Sequence, residues 1–224
     1  MKRFVLFFAV AAIIAAQTAT AQTAVIKEMT GTVELQTSAG GNWIPAKEGS
    51  TIQKATIVST GFRSTAILSV GSTTITVRPL TRLTLEEIIK LEETETVNLN
   101  LSSGRVRVEV KPPAGSRANF SAQSPSATAS VRGTSFEMDT VSIRVLTGGV
   151  YYTPVSAAAH SVTVSAGSET RINPETGNAE QPMIMSQILR SLPRLPGETA
   201  GTGSDNALLL HSGTVIITVE IGTK

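Results

Sequence analysis

The sequence predicts an all-β protein: a two-sheet β-sandwich or a short solenoid-like stack of β-arcs and hairpins, with a short helix and a C-terminal hairpin. Three observations lead there. From Val25 to about Ile172, Val, Ile and Thr dominate, and glycines or asparagines break the run at intervals of roughly ten residues. Polar and apolar residues alternate within that region, the period of a strand with one wet face. The chain also has no cysteine. A disulfide framework, a thiol nucleophile, a thiolate metal site and a lipid-modified N-terminal Cys are all excluded, so core burial must hold the fold.

Residues 1–21 read as a signal peptide. Lys2 and Arg3 form a basic start, Phe4 to Ala16 an apolar run, and Ala19-Thr20-Ala21 a small-residue cleavage site. A bilayer span needs about 20 apolar residues, so cleavage before Gln22 is expected over retention as an anchor. The whole chain carries 19 Lys+Arg against 17 Asp+Glu, and the leader takes two basic residues with it. The mature chain is then near neutral, and the sequence pI of about 9.1 argues for neither nucleic acid nor anionic lipid as a partner. A periplasmic or secreted location is expected, with no transmembrane span after cleavage.

Residues 22–172 form the predicted β domain. Thr32-Val33-Glu34-Leu35-Gln36, Thr74-Ile75-Thr76-Val77 and Arg105-Val106-Arg107-Val108-Glu109-Val110 alternate strictly, which puts the charges of the last on one face and its valines on the other. A strand–glycine–strand unit recurs at Gly71, Gly104 and Gly148, 33 and then 44 residues apart. That spacing is too irregular for a strict solenoid and fits β-arcs or hairpins around a two-sheet core. Leu83 to Glu93 is rich in helix formers. Strand-like flanks favour two strands meeting at an acidic turn, with a two-turn helix as the other reading.

Beyond Arg171 the character changes. Residues 173–206 read as a turn cluster at Asn173 to Asn178, a short helix from Met183 to Leu192 ended by Pro193, and a mobile linker to Asn206. Residues 207–224 repeat the strand–glycine–strand pattern. This apolar tail is an aggregation hazard if left bare. It is expected to pair as a hairpin on an open edge of the β domain, or to join a second copy as a homo-oligomer.

Catalytic chemistry finds little material. His160 and His211 are the only histidines, and neither has metal-ligand spacing or a carboxylate near it in sequence. Glu86, Glu87, Glu92, Glu93 and Glu95 form one acidic cluster. It reads as a solvated rim sooner than as a paired-carboxylate site. No phosphate-binding glycine loop is present, and aromatics at 4% of the chain argue against a sugar-stacking groove. No catalytic, cofactor-binding or metal residue is expected.

Trp43, Arg132, Gly133 and Thr134 are the candidate interaction or motif residues. Trp43, between Asn42 and Ile44-Pro45, either caps the core or stacks on a ligand. Arg132-Gly133-Thr134 interrupts the apolar positions Val131, Phe136 and Met138, so Gly133 is expected at φ > 0 or at a close backbone approach. Arg132 either ties a strand end through a buried bond, which is the favoured role, or presents its guanidinium to a partner.

Val131-Arg132-Gly133-Thr134-Ser135-Phe136 followed by Val145-Leu146-Thr147-Gly148 resembles the signature of the ferric-citrate-regulator (FecR) domain family. Gly31-Thr32-Val33, Trp43-Ile44-Pro45-Ala46 with Gly49, Ser59-Thr60-Gly61 with Ser64, Leu68 with Gly71-Ser72, Leu101-Ser102-Ser103-Gly104 and Val164-Ser165-Ala166-Gly167 extend the resemblance from about Ile26 to Arg171. Two positions depart from it. Val70 stands where family members often have an acidic residue, and Lys54-Ala55 where they often have Gly-Asp.

The resemblance implies a periplasmic or surface β domain for binding or signalling. The best-known members relay a signal from an outer-membrane receptor to a cytoplasmic sigma factor, through a helical domain and a membrane span that are not read in this sequence. The expectation is therefore a non-enzymatic module that binds or scaffolds an envelope protein or cell-surface component. An envelope glycan or peptide hydrolase is one rival, and a β-strand-exchanging assembly or adhesion subunit another.

Overall fold

The computed structural model describes residues 23–37, 40–91, 94–156 and 160–185. The leader 1–21 and the tail 207–224 lie outside them. Within them the chain forms strands β1 (Ala24–Thr30), β2 (Val33–Gln36), β3 (Ile44–Pro45), β4 (Thr51–Ile52), β5 (Thr56–Thr60) and β6 (Thr65–Val70). β7 (Thr73–Val77), β8 (Arg82–Leu91), β9 (Thr94–Ser103), β10 (Arg105–Val110), β11 (Arg117–Gln123) and β12 (Ala127–Val131) follow. The series continues with β13 (Ser135–Asp139), β14 (Ser142–Thr147), β15 (Gly149–Pro154), β16 (Val162–Ser165), β17 (Ser168–Arg171) and β18 (Met183–Ile184).

These strands make two nine-stranded sheets, and the all-β sandwich expected from the sequence holds. The first sheet has the order β18-β17-β14-β13-β10-β7-β6-β1-β4, the second β16-β15-β12-β11-β9-β8-β5-β2-β3. Two of the glycine units, at Gly104 and Gly148, are arcs that carry the chain from one sheet to the other. The unit at Gly71 is a hairpin, because β6 and β7 pair with each other. β9, β10 and β11 make one coil around the core, and β9 and β11 accordingly pair in parallel.

Alternation decides which side chains meet. Val106, Val108 and Val110 of β10 are at most 3% exposed, while Arg105, Arg107 and Glu109 face water. Leu99 and Leu101 of β9 are buried in the same core, and Phe120 and Phe136 meet edge-to-face at 6.0 Å across it. Residues 82–91 are one strand with a bulge between Leu85 and Glu87, paired to β9. The strand reading of that segment stands over the helical one, since Leu83, Leu85 and Ile88 are buried by the sheet.

The predicted helix from Met183 needs correction. Met183 and Ile184 are strand, paired with Glu169 and Ser168. The outer edge of β17 offers unpaired backbone groups, and pairing with them outweighs a weak helical preference. The remainder of that segment, from residue 186, lies outside the described residues.

Where the backbone crosses between sheets it leaves the ladder, and its N–H and C=O groups need other partners. Buried hydroxyls supply them. Thr60 is 4% exposed; its hydroxyl donates to the Arg78 carbonyl (2.6 Å) and accepts from the Thr81 N–H (3.0 Å). The Thr81 hydroxyl donates to the Arg105 carbonyl (3.1 Å) and accepts the Arg105 N–H (3.0 Å). Ser64 accepts the Thr32 N–H (2.9 Å), and Ser124 donates to the Thr140 carbonyl (3.0 Å). The hydroxyls of Thr60, Thr81 and Ser64 each tie one crossing to a neighbouring one, and Ser124 ties the β11–β12 hairpin of the second sheet to the β13–β14 hairpin of the first.

Thr60→Val keeps the shape and deletes two of these bonds. It should destabilise the protein by about 1–3 kcal/mol, read as a lower urea midpoint with an unchanged slope. A midpoint equal to the parent's would show that water replaces the hydroxyl without cost.

Candidate functional site

The Arg132-Gly133-Thr134 corner is the crossing from β12 to β13. Gly133 has φ +64, as the sequence predicts, but a Cβ there would meet nothing within 4 Å. A side chain is penalised by backbone strain alone, about 1–2 kcal/mol. Thr134 is the buried member, 1% exposed, and its hydroxyl donates to the Gly149 carbonyl (3.0 Å) of the next crossing. Its own carbonyl accepts the Val110 N–H (3.0 Å). The tie foreseen for Arg132 is thus made by Thr134.

Arg132 is exposed and pairs with no described residue. It borders a groove of about 570 Å³ on the outer face of the second sheet, with Asn98, Asn119, Ser121, Ser130 and Tyr151. Trp43 lies elsewhere on that sheet. It is half-buried, and the Arg82 guanidinium sits 5.2 Å from its ring centroid, a cation–π contact that occupies one face of the indole.

The acidic cluster divides between the two sides of its hairpin. Glu87 faces outward and accepts from Asn98 Nδ2 (2.6 Å). Glu95 departs from the solvated-rim reading: it is 8% exposed, and both its oxygens accept the Ser72 N–H (3.2 and 2.9 Å). A carboxylate thus caps the Gly71-Ser72 corner from β9. Glu92 and Glu93 lie outside the described residues, as does His211, whereas His160 is an exposed loop residue.

One end of the sandwich carries a second surface. Phe62 is 72% exposed, Leu80 62% and Val141 46%. Their loops adjoin, since the Leu80 N–H donates to the Gly61 carbonyl (3.2 Å). Arg63 and Leu80 have φ of +53 and +56, a conformation that side-chain-bearing residues adopt at a cost. The Thr60–Thr81 hydroxyls beneath hold both loops in it. Leu80 and Val141 border a depression of about 660 Å³ that also contains Arg78, Arg105, Glu137 and Asp139.

The carboxylates in this depression are already engaged. Glu137 pairs with Arg78 (2.8 Å) and Asp139 with Arg105 (3.1 Å). Burial pushes the Asp139 carboxyl up. Hydrogen bonds from the Val141 N–H, the Ser142 N–H and hydroxyl, and Arg105 outweigh it and hold the group below its ordinary 3.8. Such a carboxylate cannot keep a proton at neutral pH to act as a general acid. Among the described residues no three His, Asp or Glu side chains are grouped to hold a metal ion.

A carboxyl lowered on folding stabilises the native state above its unfolded value, and that contribution disappears as pH falls through the folded one. Asp139→Asn should therefore lower the urea midpoint at neutral pH. The gap to the parent should narrow below pH 3.8 and close under stronger acid. A gap constant from neutral to acid pH would show that the charge plays no part.

Residues 56–151 match the model of a family described as FecR protein. That stretch contains the Arg132-Gly133-Thr134 corner, the Phe62 and Leu80 loops and Tyr151. It lies inside the span of Ile26 to Arg171 over which the motifs run. Two crystal structures of a "putative anti-sigma factor" from Parabacteroides distasonis are similar at 14% identity and a TM-score of 0.46, covering 57% of this chain. The chain spans 59% of that protein's length. No curated protein is significantly similar. From Thr56 to Tyr151, the chain is thus similar to the family described as FecR protein.

Proposed function

We propose that the protein is a non-enzymatic binding module of the cell envelope, periplasmic or secreted, that docks an envelope protein in a signalling or scaffolding role. The observation that carries this reading is the loop end bearing Phe62, Leu80 and Val141. Large apolar side chains standing in water at strained, hydrogen-bonded loop tips cost stability, and such sites are where proteins hold contact groups ready. An exposed aromatic beside arginine is also the composition of an interface anchor. Arg63 lies 5.3 Å from the Phe62 ring centroid, and Arg78 and Arg105 border the adjoining depression.

The hydrolase alternative fits this end less well. Its two carboxylates are both ion-paired with arginine, and Asp139 is held in its charged form. The FecR-type segment supports a regulatory or binding role over a catalytic one.

The double variant Phe62→Ser/Leu80→Ser tests the docking surface. Both side chains are exposed, so stability should change by less than about 0.5 kcal/mol per site. Immobilised parent protein should retain specific envelope proteins that the double variant loses. Identical capture by both, with the variant folded, would remove the docking site from this end.

A further inference from the structure

The two outer faces of the sandwich differ in chemistry. On the first sheet and its flanking turns the outward groups are charged and paired: Arg78–Glu137, Arg105–Asp139, Arg144–Glu169, and Glu109 with both Arg107 and Lys111. The second sheet carries a different pattern across β9, β11, β12, β15 and β16. Strand pairing sets Asn98, Ser121, Ser130, Tyr151 and Thr163 side by side in one transverse row. The row beside it reads Asn100, Gln123, Thr128 and Thr153. Amides and hydroxyls make up both rows, with one exposed phenol, and the first row ends at β8 on Glu87, which accepts from Asn98.

The groove of about 570 Å³ lies along this face. Small groups at Ser121, Ser130 and Gly149 leave the depression, and the longer side chains of Asn98, Asn119, Arg132 and Tyr151 border it. Tyr151 is 55% exposed.

We infer that this groove binds a neutral glycan chain. The Asn119 amide offers two donors and an acceptor, the set that a pair of neighbouring sugar hydroxyls requires, and Asn98, with one N–H on Glu87, keeps a donor and its acceptor. The exposed tyrosine ring gives the apolar C–H face of a pyranose a flat surface to stack on. A hydroxyl-rich ligand exchanges water hydrogen bonds for equivalent ones along these rows, while Arg132 stays in water at the border and Glu87 stays on Asn98. A protein partner is a poorer match, because protein interfaces centre on apolar and aromatic anchors, and those lie at the loop end. Low aromatic content argues against a stacking groove when composition is read alone, but one ring in mid-face suffices for a single sugar. This site is independent of the docking end.

The test is titration calorimetry of the purified full chain with soluble oligosaccharides of neutral hexose and N-acetylhexosamine polymers. At least one should bind saturably, and 0.5 M salt should leave its affinity unchanged, since no ion pair forms. Tyr151→Ala should weaken binding by about tenfold or more at an unchanged melting temperature. Phe62→Ser should have no effect on it. Absence of binding across the panel, binding abolished by salt, or binding that survives Tyr151→Ala would each overturn the assignment.

Discussion

Everything else in this fold rests on a set of buried hydroxyls at the places where the chain passes between sheets. A sandwich whose strands alternate between sheets must turn the backbone through its edges many times, and each turn frees polar groups from the ladders. Water reaches such groups poorly when the next turn stacks on them. Thr60, Ser64, Thr81 and Thr134, all at most 4% exposed, accept or donate at those points, and Ser124, equally buried, joins a hairpin of one sheet to a hairpin of the other. An unmet buried backbone group costs about 1–3 kcal/mol, comparable to a sizeable share of a small domain's stability. The staples also fix the relative register of the two sheets, which burial of interchangeable valines and leucines specifies weakly.

Rigid edges allow the surfaces to specialise. The ion pairs of the first sheet are half-exposed and contribute little each, about 0–1 kcal/mol, so they solvate that face more than they hold it. The second face carries two rows of amides and hydroxyls, with Tyr151 and the groove beside them. The loop end presents Phe62 and Leu80 in backbone conformations that only a fixed support sustains. Three surfaces of different chemistry thus hang on one scaffold. Such an arrangement suits a protein that joins components more than one that transforms a substrate.

Much of this was legible in the residues. The alternation in Arg105 to Val110 and the glycine units are local patterns, and local patterns survive into the structure. What stayed hidden depends on pairing between strands distant in sequence. Nothing near Glu95 says that it will cap the Gly71-Ser72 corner, because that requires knowing which turn lies under the end of β9. Arg132 and Thr134 are neighbours of similar polarity, yet one is exposed and the other buried. The stacking of Gly149 on this corner makes the difference, and it arises 15 residues later. Met183 and Ile184 became strand because β17 had an open edge. The rows of amides and hydroxyls are assembled from single residues on five strands, so no window of sequence contains them.

Native-state hydrogen exchange in Thr81→Val tests the central claim most directly. The Thr81 hydroxyl accepts the Arg105 N–H and donates to the Arg105 carbonyl, and so ties the start of β8 to the start of β10. If the hydroxyl staples hold the two sheets in register, protection should fall together in β8 and β10 and in the central strands beside them, β9 and β7. Loss of protection confined to the Arg105 amide, with both sheets otherwise as slow as in the parent, would contradict the account and leave apolar burial alone as the force that holds the fold.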